Sequence, residues 1–274
     1  MISRNKLNAD MIKLNYSTYG PRSQQPVILF LHGFMGSRRD WHRIASGLSE
    51  RCFCLVPDLP GHGGSAGGLD QSWDMDNTAR SLIALLDSLQ IRESYLAGYS
   101  MGGRLGLYLA LHYPHYFPKT ALESASPGLR TEAERAVRAA HDERLAERLL
   151  REDLPTFLQG WYRQPLFQSL QTHPGFSDML ARRLDNDPAA LAKSLREAGS
   201  GVQPSQWERL ETHKMPLLLV IGEKDVKFHG IAEEMQQVNP RVEMAVIAGC
   251  GHNVHFENPQ AFTEQLVYFF RLDR

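Results

Sequence analysis

Gly98-Tyr99-Ser100-Met101-Gly102-Gly103-Arg104 reads as G-x-S-x-G, with the strand-like run 94–97 before it and the helix-like run 105–112 after it. A strand, a sharp glycine-flanked turn and a helix are the context in which this motif is a nucleophile elbow. The glycines let the backbone turn tightly enough to hold Ser100 in a strained conformation, its hydroxyl clear of the end of a sheet. The bare pattern arises by chance in roughly one chain in ten of this length. A serine in a glycine-rich turn is therefore the competing reading, and the rest of the chain decides between the two.

Outward from the elbow, strands and helices alternate. Val27-Ile28-Leu29-Phe30-Leu31 is a continuous apolar run between Pro26 and His32-Gly33, the pattern of a strand buried on both faces of a parallel sheet. Residues 11–19, 52–56, 120–122, 217–221 and 242–247 read as further strands. Residues 75–89 place Ala79, Leu82, Ile83, Leu86 and Leu89 at helical spacing, and shorter helices are expected over about 40–48 and 259–270. From about 130 to 204 the alternation stops. That stretch is charged and helical, cut into short pieces by Pro155, Pro165, Pro174 and Pro188. The expected architecture is α/β, a mostly parallel, doubly wound sheet formed by 1–129 and 205–274, with 130–204 inserted as a helical cap. A cap there sits over the strand ends, where ligands bind in such sheets.

Composition narrows the function classes. The chain has 274 residues, 42% of them apolar, enough for a sizeable core. A net charge of −1 without long runs of one sign argues against nucleic acid or an anionic membrane as a bulk electrostatic partner. Cys52, Cys54 and Cys250 make neither a disulfide framework nor zinc-site spacing, and Cys52 and Cys54 are expected on one face of a strand. Residues 1–13 show no apolar signal-peptide core, and no run approaches 18 apolar residues. A cytoplasmic protein is expected.

A serine hydroxyl needs a base, and the base needs an orienting partner. Where the nucleophile sits on an elbow, these follow in the order Ser, Asp or Glu, His. Asp225, in Gly222-Glu223-Lys224-Asp225, follows the strand ending at Ile221, and His252, in Gly249-Cys250-Gly251-His252-Asn253, follows the strand ending at Ile247. Glu223 is the alternative acid. The oxyanion donors are expected from the backbone N–H of Met101, the residue after the nucleophile, and from that of Phe34 in the loop His32-Gly33-Phe34-Met35-Gly36, counted as the loop after the third strand.

With these stretches in view, the chain resembles the α/β-hydrolase superfamily over nearly its full length. Within it, the chain is similar to the 2-succinyl-6-hydroxy-2,4-cyclohexadiene-1-carboxylate synthases of menaquinone and phylloquinone biosynthesis. The more specific marks are Arg104 on the elbow helix, Trp161-Tyr162 in the cap, and His252-Asn253-Val254-His255. Others are Asp40-Trp41, Glu123 with Ser126-Pro127-Gly128-Leu129, and Lys227-Phe228.

The resemblance implies a lyase with a small tricarboxylate substrate and no metal or organic cofactor. A proton next to a ketone is removed from a cyclohexene ring and pyruvate is expelled. It further implies that Arg104, Arg138 and Arg183 bind carboxylates while Tyr99 and Trp161 line the pocket. The same triad would also suit a carboxylesterase or a carbon–carbon bond hydrolase, and the fold could serve as a non-catalytic ligand receptor.

Overall fold

A computed structural model describes residues 12–272. Expectations for residues 1–11, including the start of the first strand and most of the segment inspected for a signal peptide, lie outside the described residues.

The first half contains β1 (Tyr16–Tyr19), β2 (Val27–Leu31), α1 (His42–Leu48), β3 (Phe53–Pro57), α2 (Met75–Ser88), β4 (Tyr95–Tyr99), α3 (Met101–His112) and β5 (Thr120–Glu123). A helical stretch follows: α4 (Glu132–Arg151), α5 (Leu154–Tyr162), α6 (Gln168–Gln171), α7 (Phe176–Arg183) and α8 (Pro188–Ala198). The chain then completes the sheet through α9 (Trp207–Thr212), β6 (Leu217–Gly222), α10 (Val226–Val238), β7 (Val242–Ile247), α11 (Val254–Glu257) and α12 (Pro259–Phe270).

The strand order is β1-β3-β2-β4-β5-β6-β7, with β1 antiparallel to β3 and every other pair parallel. The continuous apolar runs are explained by a sheet covered on both sides. In β2, Val27, Leu29 and Leu31 join one core layer while Ile28 and Phe30 join the other. β6 divides the same way, with Leu217, Leu219 and Ile221 opposite Leu218 and Val220. Helices α2, α3 and α10 cover the first face, α1 and α12 the second. Cys52 and Cys54 fall on one face as expected, their buried thiols 3.6 Å apart.

The inserted helices begin where their sequences dictate. Thr131 and Glu134 form a capping box before α4, and Asp153 and Asp187 cap α5 and α8. Pro155 and Pro188 sit in the first turns of α5 and α8, where a missing N–H costs nothing. These helices bury a small core of their own, including Leu145, Leu149, Phe157, Met179 and Leu195, which Met35 joins from the loop after β2. Among the described residues, no helix is long and apolar enough to cross a membrane.

The order of strands decides where chemistry happens. From β2 the chain moves outward to β3 on one side, then returns past β2 to β4 and proceeds to β5 on the other. The crevice at the carboxyl ends of β2 and β4 is therefore the switch point of the sheet. Leu31 pairs with Gly98 across it, so the two strands end level with each other.

Candidate active site

Ser100 stands between β4 and α3 with φ +51° and ψ −107°. A non-glycine residue held there costs on the order of 1–3 kcal/mol and persists only where its surroundings enforce it. Two glycines do so. A Cβ on Gly98 would lie 2.6 Å from the carbonyl oxygen of Gly102, and one on Gly102 would lie 2.3 Å from that of Leu31. The Ser100 N–H donates to the Glu123 carbonyl of β5 at 2.9 Å, tying the turn to the sheet.

The hydroxyl of Ser100 lies 3.2 Å from Nε2 of His252, and Nδ1 of His252 lies 2.7 Å from Oδ2 of Asp225. A carboxylate only accepts, so Nδ1 carries the proton and Nε2 is free to take one from serine. Asp225 and His252 are buried, and Asp225 caps α10 by accepting from the Phe228 N–H at 3.4 Å. Its Oδ2 also accepts from the Ser124 hydroxyl at 3.1 Å. Glu223 is turned elsewhere and accepts from the Gly249 N–H at 2.8 Å. The structure thus joins Asp225, and not Glu223, to the histidine.

Behind this line sits a second buried carboxylate–imidazole pair. The N–H and Nδ1–H of His255 donate to the two oxygens of Glu123, at 3.1 and 2.7 Å. Trp41 stacks on His255 at 4.2 Å, and Tyr99 meets it edge-on at 4.9 Å. The loop carrying His252 is pinned by these contacts to the strand end beside Ser100.

In front of Ser100 opens a cavity of about 310 Å³, lined by both the sheet ends and the inserted helices. Ser100, His252, Phe34 and Met101 border it, as do Trp161 and Phe167. A Cβ on Gly33 would lie 3.6 Å from that of Ser100, so the Phe34 loop passes directly beside Ser100. It follows the second strand among the described residues, because only β1 precedes β2. Met101 is the first residue of α3, where the N–H groups of a helix lack intrahelical partners.

Arg104, Arg138, His141 and Lys227 bring positive or protonatable groups to the wall, and no Asp or Glu among the described residues lines it. The Arg104 guanidinium donates to two neutral acceptors, Oε1 of Gln203 at 2.9 Å and the Ala198 carbonyl at 3.0 Å. Burial, assisted by the nearby charge of Arg138, pushes it down to about 10. Arg138 is paired with the buried Asp142 at 2.7 Å but keeps a third of its side chain exposed.

Residues 26–259 match the family described as alpha/beta hydrolase fold. The chain is 36% identical to the 2-succinyl-6-hydroxy-2,4-cyclohexadiene-1-carboxylate synthase of Enterobacter sp. (strain 638), covering 94% of this chain and 97% of that one. A solved structure of MenH from S. aureus superimposes with a TM-score of 0.89 at 33% identity, covering 93% and 97% of the two chains.

The chain belongs to the α/β-hydrolase fold family, among the 2-succinyl-6-hydroxy-2,4-cyclohexadiene-1-carboxylate synthases.

A longer relative, Protein PHYLLO, chloroplastic, of Arabidopsis thaliana, is 36% identical over 88% of this chain, which spans 15% of that protein.

Of the residues expected at a synthase site, the structure brings Ser100, His252, Phe34, Met101, Arg104, Arg138 and Trp161 to one cavity, with Asp225 behind His252. Two are placed elsewhere. Arg183 is buried against Asp40 of the core, its two terminal nitrogens 2.9 and 2.8 Å from the carboxylate oxygens, with Nε 3.3 Å from the Tyr162 hydroxyl. Burial opposes both charges of this pair. Their mutual attraction outweighs it, raising Arg183 and lowering Asp40. The expected substrate arginine is thus engaged in fastening α7 to the turn at Asp40 that follows β2, outside the cavity lining.

Tyr99 is likewise outside the lining. It is buried, with its ring centroid 5.5 Å from that of His252, and forms part of the wall behind the imidazole. Lys227, Gln203 and Ser124 went unassigned in the sequence. Lys227 was marked in the sequence only within the stretch Lys227-Phe228 that carries the resemblance, and Ser124 only by its place directly after a strand end.

Proposed function

We propose that the chain eliminates pyruvate from 2-succinyl-5-enolpyruvyl-6-hydroxy-3-cyclohexene-1-carboxylate to give 2-succinyl-6-hydroxy-2,4-cyclohexadiene-1-carboxylate. The observation that carries this is Arg104. A guanidinium held by two neutral acceptors, in a cavity that no Asp or Glu among the described residues lines, and beside a Ser–His–Asp line, is poised for a carboxylate ligand.

The chemistry follows from the distances. The Ser100 hydroxyl, 3.2 Å from Nε2 of His252, passes its proton to the imidazole as it removes the ring proton next to the succinyl ketone. Asp225 stabilises the imidazolium across 2.7 Å, and Ser124 holds the carboxylate in place. Charge moves to the ketone oxygen, where the N–H groups of Phe34 and Met101 stabilise the enolate. Electrons then flow through the ring double bond and expel the enolpyruvyl group, leaving a conjugated diene. The imidazolium of His252 gives its proton up to the departing enolate, which becomes pyruvate, and the neutral imidazole of the starting state is restored.

Arg104 and Arg138 bind carboxylates in this scheme, Trp161 packs against the substrate, and residues 130–204 act as the cap that keeps water from the enolate. The reaction takes place in the cytoplasm. Incubation with the enolpyruvyl precursor and assay of pyruvate tests the whole. Pyruvate at the uncatalysed background rate would refute it.

A further inference from the structure

The substrate carries three carboxylates, yet only two of the three expected arginines border the cavity. Arg183 donates to Asp40 and Tyr162, and to bind a substrate carboxylate it would have to give up Asp40 and break a buried bidentate pair. A third permanent cation does border the cavity. Lys227 stands in the first turn of α10, two residues past Asp225, and lines the same wall as Phe228 and His252.

Its ammonium lies 5.5 Å from the Phe228 ring centroid, and that ring lies 4.7 Å from the His252 ring. Among the described residues, Lys227 forms no salt bridge. Arg138 reaches the cavity from the opposite body, on α4 of the inserted helices. Burial, then the positive charge of Arg138, pushes the Lys227 ammonium down. Lys227 on the sheet side and Arg138 on the cap side, the latter already paired with Asp142, face one opening, and a bound anion there would relieve the repulsion that remains between them.

Resting on the synthase reading, we propose that Lys227 is the third carboxylate-binding cation of this site, holding one substrate carboxylate jointly with Arg138 between sheet and cap. The position gives Lys227 a role distinct from that of Arg104. A partly exposed ammonium contributes a salt-sensitive attraction and little directional specificity, whereas the Arg104 fork orients. The loss on its removal accordingly falls on KM more than on kcat.

Steady-state pyruvate release from the enolpyruvyl precursor, measured for the wild type, Lys227→Met, Lys227→Arg and Lys227→Glu between low and high salt, tests this. Lys227→Met should raise KM roughly 10- to 100-fold with kcat within about threefold, and should flatten the decline of kcat/KM with salt. Lys227→Arg should remain within a few-fold of wild type, and Lys227→Glu should fall below Lys227→Met. Equal melting temperatures would establish that the variants are folded.

If Lys227→Met kept the wild-type KM and salt dependence while Arg104→Ala lost activity, the assignment of Lys227 would fail with the synthase reading intact. A fall in kcat alone, without a change in KM or salt response, would also overturn it, because Lys227 would then act through His252 or Asp225. Absence of pyruvate release by the wild type would remove the synthase reading and this inference together.

Discussion

Replacing Arg104 by alanine tests the site most sharply. The guanidinium uses one terminal nitrogen on Gln203 and the other on Ala198, both neutral, so neither hydrogen bond pairs its charge. Burial and then Arg138 depress it to about 10, partly offset by Asp142, and a bound anion would relieve that cost. Removing one member of a desolvated charged pair costs roughly 2–5 kcal/mol, much of it the penalty of leaving the other charge unpaired. At about 1.4 kcal/mol per decade, kcat/KM for the tricarboxylate should fall by about one and a half to three and a half orders of magnitude.

Arg104→Lys should recover only part of the loss, because an ammonium cannot satisfy Gln203, Ala198 and a carboxylate with the same fork. The assay is the initial rate of pyruvate release at substrate concentrations well below KM. Turnover of Arg104→Ala within threefold of wild type would refute the reasoning, since the guanidinium would then be a structural donor to Gln203 and nothing more.

Ser100→Ala and His252→Ala should each remove most pyruvate release, and, under the proposed mechanism in which both form one proton-transfer unit, the double variant should be little slower than either alone. Multiplicative losses would show that they act separately. Arg183→Met should lower the unfolding free energy by about 3 kcal/mol in urea titrations, the lower end for a broken buried pair, because Arg182 lies 3.8 Å from Asp40 and takes up part of the charge. A change below about 1 kcal/mol would mean that Asp40 and Arg183 do not fasten the inserted helices.

His62 is fully buried with its pKa pushed down to about 3, first by burial and then by His32. The unfolded chain binds this proton near pH 6.5 and the native one does not, so its stabilising effect is complete above pH 6.5 and is lost as pH falls towards 3. Between pH 7.5 and 5.5 this residue should account for about 1.4 kcal/mol of lost stability. His62→Asn, which keeps a donor for the Pro60 carbonyl, should reduce the pH slope of unfolding by that amount, and an unchanged slope would disprove it.

The fold was legible in the sequence because its signals are local. Five apolar residues in a row at Val27–Leu31, bounded by proline and glycine, have few ways to be buried other than inside a covered parallel sheet. G-x-S-x-G could be read because each glycine answers a contact within a few residues or with the adjacent strand. Asp225 and His252 could be placed because a strand end marks each of them. Helix starts inside the inserted stretch announced themselves through Pro155 and Pro188.

Which side chains of that stretch reach the cavity was decided only by the tertiary structure. An arginine on a charged helix looks the same in sequence whether it faces solvent, substrate or a buried aspartate. Arg138 and Arg183 were indistinguishable on that basis, and separated only when α7 docked Arg183 onto Asp40, 143 residues away in the chain. Lys227 belongs to a helix of the sheet body, and nothing local in the sequence shows that α4 brings Arg138 to the same opening. Direction along a helix repeats every few residues, whereas the relative placement of two helices depends on packing between segments far apart in sequence.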